Sequence, residues 1–580
     1  MKKILNADVS NVVDEMLAGY LSAYKRYYKR IGEYNAFKYK GHRKDKVALV
    51  IGGGSGHEPL FSGYCGAGLA DAVACGNICA SPNPELISET AKAADQGKGV
   101  LFIYGCYAGD NLNFDMAEEI CQAEGMKTAH VRVWDDCASA PKERITDRRG
   151  IAGDVFVIKV AGAACDAGLE FEEVVRIAEK ARDNINTIGL ATSPGTLPGN
   201  DKPTFELGED EVEFGMGLHG EPGIERTKLR PASELVDRMY TELKKEMKLK
   251  AGDEVAVLVN GLGSTPLLEL SIVYHELSKH MHTDELNVHD AEIKTWCTCM
   301  EMGGFSITIL RLDHELKKYY DAPCFSPYYA KGELTGGYYQ GEVSEKEEEP
   351  EFDENDSQET VIVRSKKGEL TELNVSDARN MLLYIADKVI ANKPYLTEID
   401  SVIGDGYHGI GMAGGMQKAR KKLLQMEGAE NAYSVFEEAG KAMLMSMGGA
   451  SGVIFGSLYL AGAKDMEAKA VLTAEDLANM ERKSLTAIKE RGKAEVGDKT
   501  MVDALEPAVI AMEENCRKGL LEMVKAGEAA ARQGMEDTKK YTAKFGRAKS
   551  LMERAIGHQD AGATSVWLIF QGMREFVEDK

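Results

Sequence analysis

Lys46–Pro59 reads KVALVIGGGSGHEP, and this stretch decides the fold class. Val47 to Ile51 is an unbroken apolar run, the pattern of a strand buried on both faces of a sheet. It passes directly into Gly52, Gly53, Gly54, Ser55, Gly56, His57, Glu58 and Pro59. Such a junction lies at the carboxyl end of a sheet, where open α/β folds bind ligands. It is not a Walker loop, because no Gly-Lys-Ser/Thr follows, and the G-x-G-x-x-G spacing fails at Pro59. The glycines let backbone approach a small ligand, and His57 would bring polar chemistry to it. A histidine that only shapes the turn fits the same residues.

Outward from this stretch, strands alternate with helices. Asn11–Tyr24 carries apolar residues on one helical face, with Ser10 as its N-cap. A strand over Val100–Tyr104, a helix over Phe114–Ala123 and a strand over Ala129–Val133 follow. This rhythm predicts a mainly parallel sheet with helices on its faces. Asp110, in GCYAGDNLNFD, and Ser81, in CASPNPE, both follow strand ends, so one sheet edge can gather His57, Ser81 and Asp110. The turn-rich Ser193–Pro203 marks a change of subdomain. Beyond it, EFGMGLHGEPGIER sets His219 among glycines and apolar residues, surroundings that favour a neutral, nucleophilic imidazole. Val255–Val259 and Phe305–Leu312 read as further buried strands.

The composition changes at Glu342–Glu359, an acidic run in which Lys346 is the only basic residue. It reads as a solvated linker. From about Val375 to Lys580 the pattern is helical, broken by glycines. The first break, Ile399–Met416, reads IDSVIGDGYHGIGMAGGM. Asp400 and Asp405 on a tight turn suit a hard cation carrying phosphates. His408 and the backbone N–H groups of Gly409 and Gly411 would meet the phosphates. A plain helix-entry turn, with Asp as cap and Gly as special-φ residue, accounts for the same residues.

The chain has 580 residues, enough for about three folding units, and a net charge of −23. That charge argues against nucleic-acid or anionic-membrane binding. The N-terminus has no apolar signal core, and no apolar run reaches a membrane span of roughly 18 residues. The 11 cysteines are scattered. Cys75 with Cys79, and Cys297 with Cys299, have metal-like spacing without a second ligand pair nearby, so buried free thiols are expected. The expected location is the cytoplasm.

These residues together resemble the single-chain, ATP-dependent dihydroxyacetone kinases over nearly the whole length. GGGSGHEP, SPNPE, AGDNLNF and EFGMGLHGEPGIER are similar to the ketose-binding K domain of that family. IGDGYHGIGM, GGASG and GRAKSLMERAIGHQDAGATS are similar to its nucleotide-binding L domain. The resemblance implies an α/β N-terminal body of two α/β subdomains, mainly parallel, and an all-α C-terminal barrel of antiparallel helices. It divides the chain into 1–192 and 193–335 for the two halves of the K domain, 336–372 for the acidic linker and 373–580 for the L domain.

The resemblance also implies the chemistry. His219 would hold the ketose carbonyl covalently, His57 would hydrogen-bond the ketose, and Asp110 would act as general base. Gly54 and Ser81 would contact the substrate. Asp400 and Asp405 would bind Mg²⁺, while His408, Gly409, Met412, Gly449, Ser451 and Arg547 fall in segments that contact or close over ATP. A homodimer is implied too. Three positions depart from the family pattern. Tyr407 replaces a third metal-binding aspartate, Gly105 replaces a substrate-side lysine, and Ala561 replaces a proline. The expected activity is phosphorylation of dihydroxyacetone or a closely related short ketose. Gly105 raises a four-carbon acceptor such as erythrulose as the alternative, and Tyr407 raises a metal-impaired binding or regulatory relative.

Overall fold

The computed structural model describes residues 3–6, 9–41, 45–200, 202–332, 370–404, 406–426 and 428–579. The chain forms two compact units, the first comprising Met1–Tyr339 and Gly448–Ala450, the second Gln340–Met447 and Ser451–Lys580. Most of the acidic linker expected at 336–372 lies outside the described residues.

The first unit holds two six-stranded sheets. The strands of these two sheets are β1 (Tyr28–Arg30), β2 (Ala36–Tyr39), β3 (Ala48–Ser55), β4 (Ala72–Ile78), β5 (Val100–Gly105), β6 (Thr128–Val133), β7 (Ile185–Ser193), β8 (Glu211–Phe214), β9 (Glu225–Lys228), β10 (Glu254–Gly261), β11 (Asn287–Lys294) and β12 (Gly303–Leu312). Its helices are α1 (Val12–Ala23), α2 (Pro84–Ala94), α3 (Ala108–Ala123), α4 (Asp154–Asp166), α5 (Phe171–Asp183), α6 (Ala232–Met247), α7 (Leu267–Thr283) and α8 (His314–Asp321).

The first sheet runs β1-β2-β4-β3-β5-β6. Its four central and far strands pair in parallel, as the βα rhythm predicts, while β1 and β2 add an antiparallel edge. β3 is buried along nearly its whole length, which explains its continuous apolar run. Helix α2 starts where the sequence signals it. Pro84 takes the first turn and the Asn83 side chain accepts from Leu86 N–H.

The second sheet runs β11-β10-β12-β7-β8-β9 and is antiparallel except for β10 with β11. Only that pair is joined through a crossover helix, α7; β12 follows β11 after a short loop and returns antiparallel to β10. Apolar runs mark buried strands but carry no direction, so the sequence pattern did not separate the two cases. β7 belongs to this second sheet although the boundary at 192/193 assigns it to the first half. The turn-rich stretch follows the sheet change rather than preceding it.

The second unit carries α9 (Val375–Ala391), α10 (Lys393–Ile403), α11 (His408–Gln425), α12 (Ala432–Ser446), α13 (Gly449–Ala463), α14 (Ala474–Gly492), α15 (Val502–Asn515), α16 (Leu520–Asp537) and α17 (Ala561–Glu578). Helices α10 to α12 and α14 to α17 pack in chain order, and α9 packs on α11, α12 and α17 around one apolar core. No helix among the described residues is long and apolar enough to cross a membrane.

Candidate active site

The end of β3 delivers His57. Gly54 sits against the Cys79–Ala80 backbone so closely that a Cβ would lie 2.7 Å from Ala80 N. Gly56 takes φ +95°, which turns the chain so that His57 points inward. The loop after β11 then fixes the ring. Thr298 N–H donates to the His57 carbonyl at 3.1 Å. The Thr298 carbonyl accepts from His57 Nδ1 at 2.8 Å. That loop is itself pinned by Asn260 at the end of β10, whose Oδ1 accepts from Trp296 N–H at 2.7 Å and Cys297 N–H at 3.0 Å.

His219 comes from the loop after β8. Glu221 Oε2 accepts from the His219 backbone N–H at 2.9 Å, and Oε1 faces His219 Nδ1 at 2.9 Å. Arg149 stands behind Glu221, donating from Nε to Asp136 Oδ2 at 2.9 Å and from Nη2 to the Gly215 carbonyl at 2.9 Å. Burial raises the Asp136 carboxyl above its ordinary range, and the Arg149 guanidinium opposes that rise. Gly217 leaves room for this pair, since a Cβ there would lie 2.2 Å from Glu221 Oε2 and 2.4 Å from Arg149 Nη1 and push both side chains aside.

The two imidazoles meet. His57 Nε2 and His219 Nε2 are 3.1 Å apart, with the rings nearly perpendicular at 78°. A carbonyl oxygen and a carboxylate accept hydrogen bonds, so both Nδ1 atoms are N–H donors. Two neutral rings tied this way set two lone pairs against each other. The contact is attractive only when a proton or another electrophile lies between the Nε2 atoms. This geometry fixes the direction of the His219 Nε2 lone pair, with Glu221 as the group that sets its tautomer.

Tyr107 packs edge-on against His219, ring centroids 4.9 Å apart, and its buried hydroxyl has no hydrogen-bond partner among the described residues. Asp110 lies in the first turn of α3, which begins six residues earlier than the periodicity suggests. Asp110 is therefore a helix-start residue three positions beyond Tyr107, not a loop residue. Ser81 is buried in the turn after β4, its Oγ bonded to the Pro82 carbonyl at 3.2 Å. Gly105, at the end of β5, faces Asp154. A Cβ there would lie 3.2 Å from Asp154 Oδ2. Asp154 is buried with Oδ1 unpartnered among the described residues, and burial, reinforced by Asp135 and Asp110, holds its carboxyl well above the ordinary range.

In the second unit, Asp400 Oδ2 accepts from His408 N–H at 3.1 Å across the turn between α10 and α11. Its Oδ1 faces Gly404, where a Cβ would come within 2.3 Å. The His408 ring lies 2.7 Å from Ser565 Oγ on α17 and 3.4 Å from Ser451 Oγ on α13. The structure thus gathers His408, Ser451 and the unforeseen Ser565. Gly409 is packed on α10, with Thr397 Oγ1 2.3 Å from where a Cβ would be. Met412 is fully buried in the helical core. Gly449 begins α13. Asp405 and the Arg547 side chain lie outside the described residues. Ala561 is the first residue of α17, capped by Asp560, a position that accommodates alanine and proline alike.

Sequence reading missed Glu221, Arg149, Tyr107 and Thr298. Glu221 had a local signal, a carboxylate two residues after the histidine in a glycine-rich turn. Arg149 and Thr298 had none, because the fold brings them in from distant segments.

Residues 18–328 match the Dak1 domain and residues 402–575 the DAK2 domain. The chain is 35% identical over 541 residues to the L-erythrulose kinase of Pectobacterium atrosepticum, covering 92% of this chain and 89% of that one. It is 35% identical over 592 residues to the D-erythrulose kinase of Mycolicibacterium smegmatis, covering 100% and 99%. The crystal structure of the dihydroxyacetone kinase of C. freundii shares the fold, with TM-score 0.52 and 24% identity over 99% of this chain and 100% of that one. The chain belongs to the dihydroxyacetone kinase family, with both of its domains on one polypeptide.

Proposed function

We propose that the protein is an ATP-dependent kinase of dihydroxyacetone or a closely related short ketose, which it holds covalently on His219. The observation that carries this reading is the imidazole pair, with both Nδ1 atoms tied to acceptors and both Nε2 atoms facing one space. His219 Nε2 forms a bond to the ketose carbonyl carbon, and the C=O π pair moves to oxygen. The proton held on His57 Nε2 passes to that oxygen, giving a hemiaminal hydroxyl. Glu221 balances the positive charge left on the alkylated His219 ring. Such anchoring makes the later step effectively unimolecular. Asp110 accepts the proton of the hydroxyl to be phosphorylated.

Asp400 supplies an oxygen donor of the kind Mg²⁺ takes, and Asp405 is its partner by family resemblance. Bound MgATP would supply the phosphoryl group and neutralise phosphate charge. His408, Ser451 and Ser565 form the polar cluster that would meet the nucleotide, with Gly409, Met412, Gly449 and Arg547 in the flanking segments. The reading carries a cytoplasmic homodimer with it. All eleven cysteines are free thiols, which fits a reducing compartment.

A four-carbon acceptor is the second reading, and Gly105 favours it. The family resemblance puts a substrate-side lysine at this position, and the two relatives above are named as erythrulose kinases. Mg²⁺-dependent ADP release with dihydroxyacetone, D- and L-erythrulose, glyceraldehyde and glycerol tests both. Turnover of a carbonyl compound, absent with glycerol and abolished in His219→Ala, is the expected result. Turnover that survives His219→Ala would refute covalent capture. A silent native enzyme that gains activity in Tyr407→Asp would point to a disarmed metal site and a regulatory role.

A further inference from the structure

The imidazole pair has a third neighbour. Cys79 follows β4 in a left-handed conformation, φ +52°, and its backbone N–H is held by the Ser55 carbonyl at 2.8 Å. Its Sγ and the ring nitrogens of His57 and His219 all lie within 4.8 Å of one another. Cys79 and His57 are almost fully buried, at 3% exposure each.

We infer that His57, Cys79 and His219 form a binding site for a zinc-class divalent cation. Two imidazoles and one thiolate are the donor set that such borderline-soft ions select. Zinc–nitrogen bonds of about 2.0 Å in a tetrahedron put two ligand nitrogens roughly 3.3 Å apart. The observed Nε2–Nε2 separation of 3.1 Å is already close to that edge. With a zinc–sulfur bond of about 2.3 Å, the third corner brings Cys79 Sγ to roughly 3.5 Å from each nitrogen, inside the 4.8 Å spread seen here.

The surroundings of the rings support the same assignment. A metal-ligating histidine typically donates its other ring N–H to a carbonyl or carboxylate, which fixes the tautomer and makes the free nitrogen more basic. Here the Thr298 carbonyl does this for His57 and the Glu221 carboxylate for His219. Both lone pairs converge where the cation would sit, and the coordination sphere keeps a fourth position open for water. A cation there occupies the Nε2 lone pair that the proposed ketose capture needs. Cation and ketose are therefore mutually exclusive, and a zinc-class ion is a reversible inhibitor of the site.

Co²⁺ added to the full-length protein reads the site directly, without relying on kinase activity. The expected result is one equivalent bound, with visible ligand-field bands of a tetrahedral centre and a near-ultraviolet thiolate-to-cobalt band. Both bands disappear on adding excess Zn²⁺. The thiolate band should be lost in Cys79→Ser and kept in Cys297→Ser, a change at another buried thiol. Circular dichroism checks that each variant is folded. If Cys79→Ser does not fold, His219→Gln serves instead, with at least a tenfold loss of Co²⁺ affinity expected.

Dihydroxyacetone should displace the ion from the native protein. A thiolate band without displacement supports the metal site and counts against the ketose reading alone. No thiolate band in the native protein, or a band that survives in folded Cys79→Ser, overturns the inference.

Discussion

Glu221 is the residue on which the proposed chemistry of His219 turns. It accepts from Nδ1 and leaves Nε2 as the nucleophile. Glu221→Ala should lower kcat/KM for the ketose by about 10²-fold, within the range seen when a group that prepares a base or nucleophile is removed. Glu221→Gln keeps an acceptor but loses the charge that balances the alkylated ring, so it should fall between alanine and the native enzyme. Steady-state kinetics on the three proteins decide this, and equal rates for alanine and native would dismiss the role.

Gly105 offers a second test at this scale. Gly105→Lys places an ammonium beside the buried Asp154 carboxyl, where a Cβ already comes within 3.2 Å of Oδ2. The variant should lose roughly tenfold or more in kcat/KM for erythrulose relative to dihydroxyacetone, since the resemblance puts this side chain on the substrate side, where it takes room from the larger acceptor. An unchanged ratio would remove Gly105 from the account of specificity.

At the scale of elements, what was legible in the sequence depended on how local the signal was. The buried strand ending in GGGSGH was plain, because a continuous apolar run followed by glycines has few other readings. His57 and His219 could be picked out singly, but their contact spans 162 residues. The direction of β12 was invisible, since it follows from loop length and not from the strand's own residues. Met412 was read with its neighbours in a glycine-rich turn, yet it lies on the face of α11 turned to the core. Cys79 was set aside because no ligand pair stood near it in sequence; its neighbours arrive from the ends of β3 and β8.

Helix α14 carries a feature no sequence pattern marks. Glu481 is buried in the helical unit with both carboxylate oxygens unpartnered among the described residues, and burial pushes its acid up to about 8 from 4.5. The folded state therefore keeps a proton that the unfolded chain has released between these two values. Its contribution to stability is full below about pH 4.5 and is lost as pH rises through about 8. The loss is on the order of 5 kcal/mol. Glu481→Gln mimics the protonated acid at every pH. It should match the native protein in denaturant titrations near pH 4.5 and exceed it increasingly up to pH 9. A constant difference across that range would mean that Glu481 ionises in the folded state as freely as in the unfolded one.

The whole molecule consists of two units with separate cores, and that separation makes the proposed division of labour testable. A ligand that binds only a folded unit stabilises it by RT ln(1 + [L]/Kd), about 2.7 kcal/mol at a hundredfold excess over Kd. For the helical unit that corresponds to a rise of roughly 5–10 °C in the transition, and to a smaller rise for the larger α/β unit. MgATP should raise the transition of the helical unit, because Asp400, His408, Ser451 and Ser565 all lie within it. Dihydroxyacetone or erythrulose should raise the transition of the α/β unit, where His57 and His219 meet. Calorimetry on native protein and His219→Ala separates the contributions. The ketose shift should vanish in the variant while the nucleotide shift remains, because the imidazole pair and the proposed phosphate-binding cluster belong to different units. A ketose shift that persists in His219→Ala would mean that hydrogen bonds alone hold the substrate. A nucleotide shift carried by the α/β transition would reassign the phosphate site. The same experiment with Mg²⁺ withheld isolates the carboxylates, since a nucleotide held mainly through Asp400 and the cation loses most of its stabilising effect without the metal.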